Sequence, residues 1–514
     1  MPKKIISVPP LVGWTGLNER KIVDRAPLET SSLDNVIIRN GVVEGRKGIA
    51  TWDSISSAES DTPILQLMDH YLTTSASSSL LRMTKTKVEK WNSSTHAWDD
   101  ITGTALTGAS ASLRPQFCQV AELDYLGFTN EGIDRPRKYI GSGNTSVWGG
   151  TPPYCKAMEY YVGFLALGNI SDDATTWYPL DVILSDDPDN TWVECDDTEV
   201  FVTTLTLDET PGEVRALKVI GRSLMAYKAD GVINITFTGG PTRFQRRKMD
   251  FPMGIIAPLS LQHIGELGHI FLATDRNLYI NNGSTITPVP NNVQKTLQTT
   301  LPAAIAPYVR SMVDYGRETY ILGYQRSGSS YLDAVIEYNY RTGEFTRKLY
   351  PVEFNSMLAY KQTLNSDYVR LASSATLTYQ LESGTDDNST ALSRYFDIDW
   401  TTLASPGTKY FTGGEFVFEK ARDCRVKISV AVDKSSKFNY GKWYDLRGSD
   451  PSETQVRVAY DIPSPIYGTY FKIRIEMFHD SSSNVVKFLE FIPEIIQMQS
   501  ASIDTPRLPQ AVRI

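Results

Sequence analysis

The fold is decided by the stretch Leu217-Lys218-Val219-Ile220-Gly221-Arg222-Ser223-Leu224-Met225-Ala226-Tyr227, which continues through Asp230-Gly231 into Val232-Ile233-Asn234-Ile235. Short apolar runs separated by glycine-containing turns are typical of antiparallel strands joined by tight connections. Residues 269–283 and 319–343 have the same form. The stretch therefore predicts a sheet protein built from repeated strand–turn–strand units.

These units recur over residues 61–390 at a spacing of roughly fifty residues, which lies in the range of propeller blades. The centres of the apolar strands fall near Leu65, Phe117, Tyr161, Leu217, Ile270, Tyr320 and Tyr368. We predict an all-β fold with very little helix and a β-propeller-like body of six to eight blades at 61–390. A set of unrelated β-meanders is the alternative. One helix is predicted at 291–301, before Pro302, where it caps a blade junction.

Two further regions flank this body. Residues 1–60 are predicted to form an extended docking arm, because early prolines and glycines prevent regular structure there. Within the arm, Asn40-Gly41 separates two short apolar runs and predicts a hairpin. Residues 391–500 are predicted to form a β-sandwich, since 425–432 and 470–477 alternate apolar and polar residues. Residues 501–514 are predicted to form a tail.

Charge is distributed unevenly along the 514 residues. The 59 acidic and 51 basic residues give a formal net charge of -8, which argues against a general nucleic-acid binder. Residues 171–213 alone hold 13 acidic residues and no lysine or arginine, so the rest has 46 acidic residues against 51 basic ones. One acidic segment therefore sets the sign of the whole chain.

Cysteine content and hydropathy indicate the kind of cellular compartment in which the chain is made. The four cysteines are far apart and form no CxxC motif, which is typical of a protein made in a reducing cytosol. The first ten residues lack a signal-peptide apolar core, and no run approaches the ~18 apolar residues of a membrane span. We predict no membrane span.

Motifs for catalysis or metal binding are absent from the sequence. The five histidines show no zinc-binding spacing, and neither GxSxG, GxGxxG nor a Walker loop occurs. Residues 185–192 resemble a single Asp-box of sialidase-type propellers, with Asp189 in place of glycine, but that box stabilises a turn. We predict no catalytic residue, no metal and no cofactor.

Two basic patches are candidates for contact with nucleic acid. Residues 243–248 read Arg-Phe-Gln-Arg-Arg-Lys, and Arg135, Arg137 and Lys138 form a smaller patch. Such residues could hold phosphates. A solvated strand face or a contact with an acidic neighbour is the interpretation that we favour.

The acidic segment also carries a family resemblance. Residues 160–169 form a strand, Thr176-Trp177-Tyr178-Pro179 follows, and then comes Val182-Ile183-Leu184-Ser185-Asp186-Asp187-Pro188-Asp189-Asn190-Thr191-Trp192. This pattern resembles tail proteins of short-tailed bacteriophages. The N-terminal stretch is similar to their opening, from Gly16-Leu17-Asn18 through Asp34-Asn35-Val36 and Gly41 to Arg46-Lys47-Gly48. The order of parts also matches over most of the chain.

The resemblance implies a tail nozzle, also called the tail hub or packaged-DNA stabilisation protein. In that family six copies form a ring below the portal and adaptor rings, tail fibres or tailspikes attach around it, and double-stranded DNA passes through. The resemblance further implies a virion protein that is assembled in the host bacterial cytoplasm. A receptor-binding adhesin or tailspike and a glycan-acting propeller enzyme are the alternatives.

Two sets of candidate site residues follow. The acidic segment is predicted to face the channel of the ring, where carboxylates repel DNA phosphates; its residues are Asp172, Asp173, Asp186, Asp187, Asp189, Glu194, Asp196, Asp197 and Glu199. The hairpin is predicted to dock against a neighbouring subunit or the ring above; its residues are Asn35, Asn40, Gly41 and Arg46. Deletion of residues 1–50 is then expected to abolish assembly and leave the propeller folded.

Overall fold

The computed structural model describes residues 3–7, 11–12, 14, 16–17, 29–30, 33–52, 63–108, 113–185, 202–239, 243–290, 293–301, 304, 306–326, 328–387, 390–401, 408–448, 452–479 and 484–498. Short strands occupy the N-terminal part of these ranges: β1 (Lys3–Ser7), β2 (Leu11–Val12), β3 (Gly16–Leu17), β4 (Glu29–Thr30), β5 (Leu33–Asp34), β6 (Val36–Arg39), β7 (Val42–Gly45) and β8 (Ile49–Thr51).

The first four blades of a propeller follow, each a sheet of four antiparallel strands. Blade 1 has β9 (Gln66–Leu72), β10 (Ser77–Met83), β11 (Val88–Asn92) and β12 (Ala97–Asp100). Blade 2 has β13 (Gln116–Val120), β14 (Tyr125–Thr129), β15 (Arg137–Tyr139) and β16 (Ser146–Val147). Blade 3 has β17 (Tyr154–Tyr161), β18 (Phe164–Ser171), β19 (Trp177–Ser185) and β20 (Val202–Thr206). Blade 4 has β21 (Val214–Ile220), β22 (Ser223–Lys228), β23 (Val232–Phe237) and β24 (Phe244–Lys248).

Three more blades complete the ring. Blade 5 has β25 (Gln262–His263), β26 (His269–Leu272), β27 (Leu278–Asn281) and β28 (Ile286–Pro288). Blade 6 has β29 (Arg310–Asp314), β30 (Thr319–Tyr324), β31 (Leu332–Asn339) and β32 (Phe345–Phe354), and β3 and β4 extend it. Blade 7 has β33 (Ser356–Tyr360), β34 (Val369–Ser373) and β35 (Thr378–Leu381), with β8 as its outermost strand.

The ring is closed by pairing between distant parts of the chain. Leu381 of β35 pairs with Ile49 of β8, so the N-terminal segment supplies the last strand of blade 7. The innermost strand of that blade, β33, lies beside β9 of blade 1. Closure of this kind leaves no free sheet edge between the first and last blades.

Helical structure is sparse within the described residues. The one α-helix there, α1 (Gln294–Thr300), falls within the predicted range and is followed by the single-turn helix Ala306–Tyr308. Val293, Leu297 and Leu301 are fully buried in the largest core cluster, at the four-residue spacing that predicted the helix. The helix connects blade 5 to blade 6. No described helix has the length and apolar character needed to cross a membrane.

The remaining strands form a β-sandwich: β36 (Arg394–Thr401), β37 (Lys409–Glu419), β38 (Cys424–Val432), β39 (Asn439–Asp445), β40 (Gln455–Gly468), β41 (Phe471–His479) and β42 (Lys487–Met498). One sheet has the order β40-β37-β42-β7-β6, with β1 and β2 also paired to β42, and the other has the order β39-β38-β41-β36-β5. Alternating side chains of both sheets fill the core between them. Trp14 packs edge-on against Phe396 at 4.7 Å in this core.

The predicted fold class is confirmed: the described chain is almost entirely β, with a propeller-type ring of four-stranded sheets. The predicted docking arm differs from the structure. Strands of residues 3–51 do not extend away from the body, because they pair with both domains of their own chain. Their short apolar runs bury more surface inside the sandwich and blade 7 than they could in an exposed arm.

Candidate functional site

Two carboxylates of the predicted acidic wall lie in the turn between β18 and β19 of blade 3. Asp172 and Asp173 are exposed there. Asp173 accepts hydrogen bonds from the backbone N–H groups of Thr176 at 2.6 Å and Thr175 at 2.8 Å, which hold its pKa well below the usual range. Asp173 thus shapes a local turn. Asp186, Asp187, Asp189, Glu194, Asp196, Asp197 and Glu199 lie outside the described residues, and their channel-facing position stays a prediction.

The end of the acidic segment contacts the larger basic patch from the connection between blades 3 and 4. Arg246 on β24 lies 3.1 Å from Asp208 and 3.0 Å from Glu209. The neighbouring residues of β24 are exposed. The patch is therefore a solvated strand face with an acidic neighbour from its own chain.

The predicted hairpin forms between β6 and β7. Asn40 and Gly41 both have positive φ, 51° and 78°, as a tight hairpin turn requires. Asn40 is exposed at the tip. The backbone N–H of Gly41 points toward Glu344 of blade 6, at 3.4 Å. The tip keeps a surface that a partner could reach, and its docking role stays a prediction.

Asn35 is buried at the joint between the propeller and the sandwich. Its side-chain Oδ1 accepts hydrogen bonds from the backbone N–H of Leu349 and from Nε of Arg46, each at 2.9 Å. Its Nδ2 donates to the carbonyl of Ser393 at 2.7 Å. Asn35 has a φ of 58°, which asparagine tolerates better than most residues. One side chain therefore joins blade 6, the hairpin and the start of the sandwich.

Arg46 is the most highly connected group of this joint. It is 1% exposed and donates two hydrogen bonds to Asp387, at 2.7 and 2.5 Å. It also donates to the carbonyl of Leu349 at 2.8 Å and lies over the ring of Tyr350 at 4.4 Å. The carbonyl of Arg46 accepts a hydrogen bond from Arg394 at 2.6 Å. A planar guanidinium suits such bidentate and stacked contacts.

The structure corrects the docking assignment for two of the four hairpin residues. Asn35 and Arg46 are 6% and 1% exposed, so no partner surface can reach their side chains. Both serve contacts within the chain, because a buried charge or amide needs its partners close by. The neighbouring Gly48 also serves a contact within the chain, because a Cβ at this position would lie 1.7 Å from the carbonyl oxygen of Asp386.

A cavity of about 440 Å³ occupies the centre of the propeller, and all seven blades contribute to its lining. Each blade has the same strand order, so each innermost strand begins at the same end of this channel. Gln66, Gln116, Gln262 and Arg310 are the first residues of their innermost strands and define one end. Tyr315 and Lys361 follow the last residues of theirs and define the other. Tyr315 is 44% exposed, so this second end is open to solvent.

Charged groups lie along the cavity wall. Lys218 is 3.3 Å from Glu159, whose charge raises the pKa of that lysine. Burial raises the pKa of Asp69, although its own backbone N–H and Lys218 oppose the rise. Lys361 lies 5.2 Å from the ring centre of Tyr368. The lining therefore contains Lys218, Lys361 and Arg310 as cations against the single carboxylate of Asp69.

Arg310 is the group in the cavity wall that sequence analysis missed. It is 6% exposed, and its Nε and Nη2 donate only to backbone carbonyls, those of Asn355 at 3.0 Å and Leu113 at 3.1 Å. Its Nη1 has no hydrogen-bond partner within the described chain. Burial, together with the charge of Arg114, lowers the pKa of Arg310 to about 10. Its strand, Arg-Ser-Met-Val-Asp, is of mixed polarity, so no signal in the sequence distinguishes Arg310.

A histidine and a cysteine of the described ranges are deeply buried. No cluster of metal-ligating side chains occurs there. His269 is fully buried, with Nδ1 2.8 Å from the hydroxyl of Tyr227 and Nε2 3.0 Å from the carbonyl of Val219. Burial lowers the pKa of His269 to about 3, so it is neutral. Cys155 is also buried, which raises its thiol pKa to about 12 and makes it a poor nucleophile.

Fold and contacts define an all-β protein in which a seven-bladed propeller is fastened to a β-sandwich. No family model and no curated protein matches the chain. Similar solved structures include BBS1N in complex with ARL6DN, with a TM-score of 0.40, 10% identity and coverage of 66% of this chain and 99% of that chain. The Neurospora crassa Pan2 WD40 domain has a TM-score of 0.39, 12% identity and coverage of 68% and 99%. Porphyromonas gingivalis PorZ has a TM-score of 0.36, 10% identity and coverage of 69% and 43%. Likeness at this level carries no argument about function.

Proposed function

We propose that the chain is a structural virion protein, a tail nozzle of a short-tailed bacteriophage. Six copies form a ring below the portal and adaptor, which extends the DNA-ejection channel and retains or gates the packaged genome. Tail fibres or tailspikes attach around the ring, and the particle is assembled in the host cytoplasm. The function requires no cofactor and no catalytic residue.

The observation that carries the proposal is the position of the N-terminal residues behind the resemblance. Asp34, Asn35, Arg46 and Gly48 all lie at the joint, where they fix the sandwich to blade 6 and to the end of blade 7. Asp34 accepts hydrogen bonds from Arg347 of blade 6 at 2.8 Å and from Tyr395 of the sandwich at 2.6 Å. A motif used to make two domains one stiff body favours an architectural role.

The wall of a conduit must keep its shape when DNA under pressure passes. A closed propeller resists opening because every blade is held on both sides, and buried ion pairs at the joint resist bending between domains. Exposed carboxylates such as Asp172 would repel DNA phosphates and would keep the duplex from adhering. These properties support the nozzle over an enzyme.

The decisive experiment is to measure the mass of the purified chain in solution, alone and with its adaptor, and to image the particles. Six-fold rings support the proposal. A trimer would favour an adhesin or tailspike, and cleavage of bacterial polysaccharides would favour an enzyme.

The hairpin tip offers a variant that leaves the joint intact. Asn40→Glu alters an exposed position of positive φ and should reduce ring assembly, with a loss of about 1–2 kcal/mol in stability because glutamate tolerates that φ less well than asparagine. His96→Glu is the matched control, since His96 is also exposed, with φ 53°, at the turn between β11 and β12. Equal assembly of both variants would remove the docking role of the tip.

A further inference from the structure

We propose that the cavity at the centre of the propeller binds a small hydroxylated carboxylate of the sugar-acid class, with the carboxylate at Arg310. The inference rests on the lining of the cavity and does not depend on ring assembly. It gives the propeller a ligand-binding role besides an architectural one.

The charge of Arg310 is uncompensated within the described chain. Buried cations in proteins are normally paired with an anion, because isolated burial is costly. Of the described carboxylates, none lies within ion-pair distance of Arg310, whose Nε and Nη2 bind carbonyls. Its Nη1 is buried and unpartnered in the wall of the cavity. Arg114 nearby is already paired with Glu131. An anion in the cavity would supply the missing partner.

Three glutamine side chains line the cavity at the same end as Arg310. Gln66, Gln116 and Gln262 stand beside Arg310 at the first positions of their innermost strands. The Oε1 of Gln66, a residue that is only 8% exposed, has no hydrogen-bond partner. The Nε2 groups of all three glutamines already donate to backbone carbonyls, so their amide oxygens are the groups that can accept hydrogen bonds from ligand hydroxyls. A ligand that presents hydroxyls next to its carboxylate satisfies both kinds of group at once.

The cavity is large enough for a small ligand and is open to solvent at one end. A cavity of about 440 Å³ lies within the usual range for small-molecule sites. The tyrosine end is open, with Tyr315 at 44% and Leu364 at 58% exposure around its mouth. Lys361 lies along the path and Lys218 is already paired with Glu159, so Lys361 and Arg310 are the cations that face the single lining carboxylate of Asp69. The field along the channel therefore attracts anions toward Arg310.

The test is calorimetric titration of the full chain at neutral pH and low salt. Probes are D-glucuronate and D-galacturonate, with D-glucose and D-galactose as neutral controls and acetate as a carboxylate without hydroxyls. Saturable binding of a sugar acid, at least tenfold tighter than its neutral sugar and than acetate, is expected. Tetragalacturonate distinguishes the end of a polysaccharide from a free sugar acid as the natural ligand. If tetragalacturonate binds more tightly than D-galacturonate, the ligand comes from a polymer.

Two cavity variants and one control decide the site. Arg310→Met should weaken sugar-acid binding at least tenfold, and Gln66→Leu several-fold, whereas Arg317→Met, outside the cavity, should change nothing. Gln66→Leu decides alone if Arg310→Met fails to fold. The proposal would be overturned if no sugar acid bound saturably, if neutral sugars bound equally well, or if a peptide with a free terminal carboxylate bound more tightly. It would also be overturned if the folded cavity variants bound sugar acids as well as the unaltered chain does.

Discussion

Replacement of Arg46 by methionine removes the charge at the joint while keeping a side chain of similar length. Asp387, 3% exposed, then loses both hydrogen bonds from the guanidinium, at 2.7 and 2.5 Å. Breaking a buried pair by removing one partner costs about 3–5 kcal/mol. Whole domains are stable by only about 5–15 kcal/mol. The variant should therefore lose a large part of the stability of the joint.

Urea unfolding of the full chain measures this loss. Because two domains can unfold separately, the transition is followed both by tryptophan fluorescence and by far-ultraviolet circular dichroism. Trp14 lies in the sandwich core and Trp148 in a propeller core, so the fluorescence reports on both domains. Arg39→Met is the matched control, since Arg39 is 41% exposed and lies 3.7 Å from Glu44, a contact worth at most about 1 kcal/mol.

A double variant isolates the pair. In the background of Arg46→Met, Asp387→Asn should cost almost nothing or restore stability, because the uncompensated charge disappears. A loss below about 1 kcal/mol for Arg46→Met would refute the reasoning on burial. Unchanged stability together with failed ring assembly would instead return Arg46 to the docking role that its sequence context predicted.

Three further perturbations test other parts of the fold. The pKa of His269 is about 3 in the folded state against 6.5 ordinarily, so the unfolded chain binds a proton that the folded chain does not. The free energy of unfolding should therefore fall by about 1.4 kcal/mol for each pH unit between 6.5 and about 3. Unfolding curves of His269→Gln should depend less on pH. Gly48→Ala should lower the melting temperature by many degrees, because its Cβ would overlap the carbonyl of Asp386 at 1.7 Å, whereas Gly343→Ala, with open space around it, tests backbone strain alone. Arg370→Met should cost about 3–5 kcal/mol in urea unfolding, since it breaks buried contacts to Asp314 at 2.7 Å and Glu337 at 2.8 Å.

Local pattern was sufficient for the blades and the hairpin. The apolar runs around Leu217–Tyr227 lie in β21 and β22 themselves, and both turn positions of Asn40-Gly41 carry their own conformational preference. Each of these features depends on neighbours in sequence, so reading the chain locally recovers them.

The pairing of strands that are distant in the chain could not be predicted from the sequence. The partner of Ile49 is Leu381, and that of Lys3 is Met498, so nothing near the N-terminal strands indicates which sheets they join. Arg310 resembles any basic residue in a strand until the ring brings it to the channel beside Gln66. Deletion of residues 1–50 should accordingly destabilise blade 7, contrary to the expectation that the propeller stays folded without them, and circular dichroism of the truncated chain measures this.

The closure of blade 7 by β8 also sets an order of events during synthesis. Ile49 leaves the ribosome long before its partner Leu381 exists. At about 5–20 residues per second, the N-terminal strand waits roughly 15–65 seconds for the strand that it must pair with. Blades 1 to 6 can form one after another in that time, but the ring cannot lock until the last blade emerges. Ring closure therefore waits until Leu381 has been made, and the unpaired edge of β8 is where a chaperone or a misplaced second chain would compete until then.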